Sequence, residues 1–142
     1  MQRREFTAGE AAEVTGLKYA TVDYWDRSHF LSPSIAGAHG KGSDRLYNFR
    51  DLVALRVARQ LREAGITLQA LRKVVEFLRR HKGLTSPLAE TYLVTDGHDV
   101  FAKQGEEVLS VLRQPGQGCF FFVLDLSRAV SELQAAVASL VA

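Results

Sequence analysis

The stretch Thr21-Val22-Asp23-Tyr24-Trp25-Asp26-Arg27-Ser28-His29-Phe30-Leu31-Ser32-Pro33 decides how the rest of the chain is read. It lies mostly inside a helix expected over about Lys18–His29. Pro33 closes that helical run, because proline lacks the amide donor and pushes the residue before it out of helical geometry. Upstream, Thr7 can cap a first helix carrying Ala8, Ala11, Ala12 and Val14, and Gly16 breaks that run. Two helices joined by a short glycine-containing turn give a helix-turn-helix outline. Any helical hairpin can produce that outline, so its flanks carry the weight.

Downstream, Gly37, Gly40 and Gly42 form a flexible tip, and Ser34-Ile35 and Arg45-Leu46-Tyr47 can pair around it as the strands of a hairpin wing. Asn48 can cap a third helix over about 49–64, ended by Gly65, and Thr67 a fourth over about 68–80. Val53, Val57, Leu61 and Ala64 form one apolar stripe, and Leu68, Leu71, Val75 and Leu78 another. Both have the helical period and read as core.

The next boundary falls at His81-Lys82-Gly83-Leu84-Thr85-Ser86-Pro87, where a helix-stopping glycine meets a proline. The charge changes sign there. Residues 1–83 hold 15 Lys/Arg against 9 Asp/Glu, a net of +6, and residues 84–142 hold 3 against 7, a net of −4. The basic part is suited to a polyanion. We therefore expect two domains, 1–83 and 84–142.

In the second, Tyr92–Thr95 and Val100–Ala102 flank Asp96-Gly97-His98-Asp99, a strong hairpin signal. Glu106 and Glu107 suit the positive start of a helix ending near Arg113. The run Cys119-Phe120-Phe121-Phe122-Val123-Leu124 is apolar throughout and reads as a strand covered on both faces. Ser127 can cap a last helix with Val130, Leu133, Val137 and Leu140 on one side. The expected fold class is α+β: four helices and a β-hairpin wing, then a small α/β domain ordered β-hairpin, helix, strand, helix.

Composition narrows the function. Hydrophobic residues make up 46% and charged residues 24%, a globular balance. No apolar run approaches the ~20 residues of a membrane span, and MQRREFTAGE carries no apolar stretch after its arginines, so neither membrane nor secretory signal is expected. A lone cysteine, Cys119, cannot close an internal disulfide and fits the cytoplasm as a buried thiol. Asp96, His98 and Asp99 within one turn lack the further ligands a metal needs. There is no nucleophile–base pairing, phosphate-cradling loop or pair of catalytic carboxylates. No enzyme activity, cofactor or metal is expected.

The stretch from Thr21 to Pro33 resembles the second helix of MerR-family regulators, whose pattern runs Thr-Leu-Arg-Tyr-Tyr-Glu-Arg-x-Gly-Leu-Leu-x-Pro. Arg45-Leu46-Tyr47 resembles the family's wing strand, Asp51-Leu52 its Asp-Leu pair, and Ala64-Gly65-Ile66-Thr67-Leu68 the turn between its third and fourth helices. The likeness covers about residues 5–80. A subgroup of actinobacterial type that controls cell-division genes is closer still, through Asp23-Tyr24-Trp25, the Gly/Ser-rich wing, Thr95-Asp96-Gly97, the helix expected over Glu106–Leu112 and the Gln117-Gly118 loop. The resemblance implies a winged helix-turn-helix and a DNA-binding transcription regulator. The implied partners are double-stranded DNA, a second copy of the chain and RNA polymerase.

Residue types then suggest roles. Lys18 and Tyr19 begin the second helix, the end that enters the major groove in helix-turn-helix proteins. Thr21 can bond a base edge or a phosphate. Tyr24 and Arg27 can reach phosphates. Lys41 and Arg45 on the wing can approach phosphates or the minor groove. Tyr47 can fix the wing strand, and Tyr47 and Trp25 are each as suited to touch DNA as to pack between wing and helix. Asp23 stands where the family has arginine; it would repel phosphate and is suited instead to pair with Arg27, four residues on. His29 replaces a family glycine at the helix end. Arg56, Arg59 and Arg62 form a ridge that reads first as a solvated face and second as a further phosphate-contacting surface.

The long antiparallel helix through which such regulators usually dimerise has no counterpart here, so pairing as a homodimer is assigned to residues 84–142. Two other readings share the outline. One is an architectural, excisionase-like DNA-binding factor. The other is a ligand-binding C-terminal domain that uses the winged helix for docking.

Overall fold

The computed structural model describes residues 5–35, 45–82, 93–95, 100–104, 107–110 and 126–140. The expected wing tip with Lys41, the boundary at 83–87 and the apolar run 119–124 lie outside them.

Helix α1 spans Ala8–Thr15. The Thr7 hydroxyl accepts from the Glu10 amide and the Glu10 carboxylate from the Thr7 amide, a capping box that satisfies two otherwise orphaned donors. Gly16 closes the helix at φ 77°, a left-handed conformation that glycine adopts without steric cost. Helix α2 follows over Tyr19–Arg27.

The end of α2 is a complete Schellman motif. The Phe30 amide donates to the Trp25 carbonyl at 2.8 Å and the His29 amide to the Asp26 carbonyl at 2.9 Å. The two residues that usually touch in this motif do so, with Trp25 and Phe30 packed edge to face at 5.3 Å. His29 holds the left-handed position, at φ 60°. The missing glycine therefore leaves the turn unchanged and places its strain on a histidine.

Strand β1 (Phe6–Thr7) pairs antiparallel with β2 (Leu46–Tyr47), Phe6 opposite Tyr47. The expected pairing of Ser34-Ile35 with Arg45–Tyr47 is present in the described residues as one backbone bond, Ile35 N–H to Leu46 O at 3.1 Å. Helix α3 spans Phe49–Glu63 and α4 Leu68–Lys82. Between them Gly65 is left-handed at φ 103°, with Ile66 N–H bonded to Leu61 O and Gly65 N–H to Arg62 O. Thr67 caps α4 through Ala70 N–H.

Strands β3 (Leu93–Thr95), β4 (Val100–Gln104) and β5 (Glu107–Ser110) form an antiparallel sheet in that order. The hairpin expected across 96–99 is found. The helix expected from Glu106 is not: Glu107–Ser110 is strand, with Gln104 opposite Glu107 and Phe101 opposite Ser110. Two residues, Gly105-Glu106, separate the paired ends, and glycine leading a two-residue link is itself a hairpin signal. Pairing with β4 outweighs the weak helical preference of four residues. Helix α5 runs Leu126–Leu140.

The chain forms two compact units. The first joins residues 1–56 with 129–142, and its core includes Phe6, Ala11, Val22, Trp25, Phe30, Tyr47, Leu52, Leu55 and Leu133. The second covers 57–128, with Ala58, Leu61, Ile66, Leu71 and Val74 buried. Among the described residues no helix is long and apolar enough to cross a membrane.

Candidate nucleic-acid interface

Helix α2 buries Val22 and Trp25 and turns the rest of its surface outward. Ala20, Asp23, Tyr24 and Arg27 recur at helical spacing on the outward side, with Lys18 and Tyr19 at the start. Tyr19 is 56% exposed and Tyr24 49%, large values for aromatic side chains on a small unit. Thr21 is half-buried and Lys18 exposed. This surface brings together five of the expected contact residues: Lys18, Tyr19, Thr21, Tyr24 and Arg27. Lys18 is also the N-cap of α2, and its side chain makes no capping bond.

The other two described candidates sit differently. Tyr47 is 1% exposed, and its hydroxyl has no hydrogen-bond partner among the described residues. Burial pushes its phenol well above the ordinary tyrosine range, with the Asp26 charge adding to the shift. Its place is the core beneath the wing. Arg45 is a clamp. Its side chain is 13% exposed, Nη1 lies 2.5 Å from Asp23 Oδ1 and Nε 2.6 Å from Asp26 Oδ2. The cation at the wing base is thus held against two carboxylates of α2.

Asp23 also accepts from Arg27 Nε at 2.8 Å, the i,i+4 pair read from the sequence. The hydrogen bond from Arg45 lowers the Asp23 carboxyl below the usual carboxylate range; desolvation opposes this, and Arg27 adds to the lowering. Two acidic groups on the outward helix are therefore matched by arginines from within the chain.

Two supports were not read from the sequence. Asp51, 8% exposed, accepts from Ser34 N–H at 2.8 Å, Ser34 Oγ at 2.5 Å and Asn48 N–H at 2.9 Å. Asn48 Oδ1 in turn accepts from Asp51 N–H at 2.8 Å. Asn48 thus caps α3, and the Asp51 carboxylate returns the reciprocal bond and straps the outgoing wing segment to the helix. The spacing Asn48-x-x-Asp51 is a capping-box variant and could have signalled the first half of that role. The second support is Arg56, which donates to Thr15 O at the end of α1 (3.2 Å) and pairs with Glu132 of α5 at 2.5 Å. The arginine ridge on α3 is accordingly engaged: Arg59 pairs with Glu63 and Arg62 donates to Ile66 O. Among the described residues no group of three or more His, Cys, Asp or Glu could hold a metal ion.

Residues 6–78 match the family model described as MerR HTH family regulatory protein. The chain is 38% identical over 129 residues to an uncharacterized HTH-type transcriptional regulator of Mycobacterium tuberculosis (strain ATCC 25618 / H37Rv). That alignment covers 90% of this chain and 55% of the relative, so the chain spans about half the length of the curated relatives it matches. It is also 30% identical over 87 residues to the nodulation protein NolA of Bradyrhizobium elkanii, covering 56% of this chain and 38% of that protein.

Proposed function

The chain belongs to the MerR HTH family, and from that premise we propose that it is a sequence-specific, DNA-binding transcription regulator acting in the cytoplasm. The observation that carries this reading is the outward surface of α2. Lys18, Tyr19, Tyr24 and Arg27 crowd one exposed side of a helix whose carboxylates are paired with arginines. Cations and amphipathic aromatics on one helix suit phosphate and base-edge contact, and a helix of this size fits a major groove.

Lys18 and Tyr19, at the entering end, are the candidates for base contacts. Tyr24 and the wing residues, including Lys41, position the helix on the backbone. One winged head reads few base pairs, so we propose a homodimer. Part of the apolar side of α5 is used within the first unit, where Leu133 is fully buried. The pairing is therefore assigned to the sheet-bearing part of residues 84–142, whose β3 and β5 are edge strands among the described residues. We further propose, from the resemblance at Asp23-Tyr24-Trp25 and the Gly/Ser-rich wing, kinship with the subgroup of cell-division regulators, and RNA polymerase is the partner such a role implies.

A salt titration of the full chain against genomic duplexes tests the reading. Log affinity should fall linearly with log salt, as release of counterions from several neutralised phosphates requires. An affinity independent of salt, or no binding, would refute it. Sedimentation of the full chain without DNA tests the dimer: a monomer at micromolar concentration would refute that part alone.

A further inference from the structure

Asp23 lies within the outward side of α2, where a carboxylate unpaired would repel phosphate. Both of its oxygens are occupied. Oδ2 accepts from Arg27 Nε at 2.8 Å, and Oδ1 lies 2.5 Å from Arg45 Nη1. Arg45 is largely buried and is itself held by Asp26 at 2.6 Å. The four side chains form a relay, Asp26–Arg45–Asp23–Arg27, running from the wing base to the exposed surface. Arg45 pins Asp23, and Asp23 pins Arg27.

The contact to Arg27 uses Nε. The distal guanidinium edge, with its two parallel N–H donors on Nη1 and Nη2, is left to a side chain that is 63% exposed. Helical side chains lean toward the N-terminus, and the pair with residue 23 draws this guanidinium back by one turn, about 5.4 Å. That turn is the one nearer the end of α2 that enters a groove.

We propose that Asp23 is a specificity-determining positioning residue: it holds Arg27 so that the Nη edge meets the O6/N7 edge of a guanine in the major groove. A freely swinging arginine on this helix finds any phosphate. One restrained in plane and drawn toward the bases matches the two acceptors of guanine. The carboxylate also offsets cationic charge on the surface, which weakens attraction to DNA of any sequence. Arg27 thereby moves from the phosphate contacts to base reading. This inference rests on the DNA-binding reading above.

The test uses the full-length chain and a duplex that the wild type selects from a random-sequence pool. Affinities are measured for that duplex, for its scrambled version, and for versions carrying 7-deazaguanine at each guanine in turn. Failure of the wild type to select any duplex overturns the DNA-binding reading and this one with it. Given selection, one guanine should prove sensitive, with loss of its N7 weakening wild-type binding about tenfold. Asp23→Asn and Asp23→Ala should weaken the selected duplex by about the same factor and lose that sensitivity, while scrambled DNA binds as tightly or more tightly. Arg27→Ala should reproduce the loss, and combining it with Asp23→Ala should add little. If the Asp23 variants tighten both duplexes equally, the residue is only a repulsive charge. If they weaken both equally while melting as the wild type does, it supports the fold or a phosphate contact. Either result overturns the inference.

Discussion

Replacing Asp51 by alanine removes one carboxylate that serves two elements. It accepts three hydrogen bonds, two from Ser34 and one from Asn48, at 2.5–2.9 Å in an 8% exposed position. A hydrogen bond to a charged group contributes about 1.5–3 kcal/mol, while the Asn48 cap on the backbone amide of residue 51 is retained. The three bonds share one acceptor and are not additive. Ser34 is also an exposed residue, so its freed donors recover part of the loss from water. The expected cost is about 3 kcal/mol, a large share of the roughly 5–15 kcal/mol that holds a domain together. In a chain of this size it lowers the melting temperature by about 10 °C. Urea denaturation of wild type, Asp51→Ala, Ser34→Ala and the double variant measures this directly. The cycle should return a Ser34–Asp51 coupling of about 1 kcal/mol. A cost for Asp51→Ala below about 0.5 kcal/mol, the range of ordinary surface changes, would show that the strap is not holding the wing segment to α3.

Two smaller perturbations follow from the same geometry. Tyr47→Phe deletes a buried hydroxyl that has no partner among the described residues and should stabilise the fold by about 1 kcal/mol without altering DNA affinity; destabilisation would reveal a hidden partner. Its pH dependence has a definite sign. The folded-state phenol titrates above its unfolded value, so its contribution to stability is complete below about pH 10 and is lost as pH rises further. Wild type should therefore lose stability more steeply than Tyr47→Phe in that alkaline range, and parallel curves would argue against the assignment. His29→Gly relieves a left-handed histidine costing about 1–2 kcal/mol, against about 0.5–1 kcal/mol of added chain entropy. A rise of about 0.5–1 kcal/mol in unfolding free energy is expected, and a fall would mean that the imidazole makes a contact outweighing the strain.

Much of α1 to α4 was legible because the interactions that encode these helices are short. Caps, left-handed stops and helix faces are settled between residues three to five apart. The Thr7 cap, Gly16, Gly65 and the stripes around Val57 and Leu71 could therefore be read in order along the chain. The outward side of α2 belongs to the same class, since burying Val22 and Trp25 leaves Tyr24 and Arg27 nowhere else to go. The pair of Asp23 with Arg27 was legible for that reason as well.

What the spacing could not carry was the choice of distant partner. Arg45 has the charge of a phosphate contact, and only the packing of the wing base on α2 turns it toward Asp23 and Asp26. Glu107–Ser110 differs, since its partner strand lies only two residues upstream and Gly105-Glu106 is a local hairpin signal that competes with the helix-starting acids. Glu132 of α5 meets Arg56 across 76 residues of chain, a separation no local period records. Residue type determines what a side chain can bond. The backbone path, set by burial of the apolar core as a whole, determines which of the possible partners comes within reach, and for Arg45 and Glu132 that path alone made the choice.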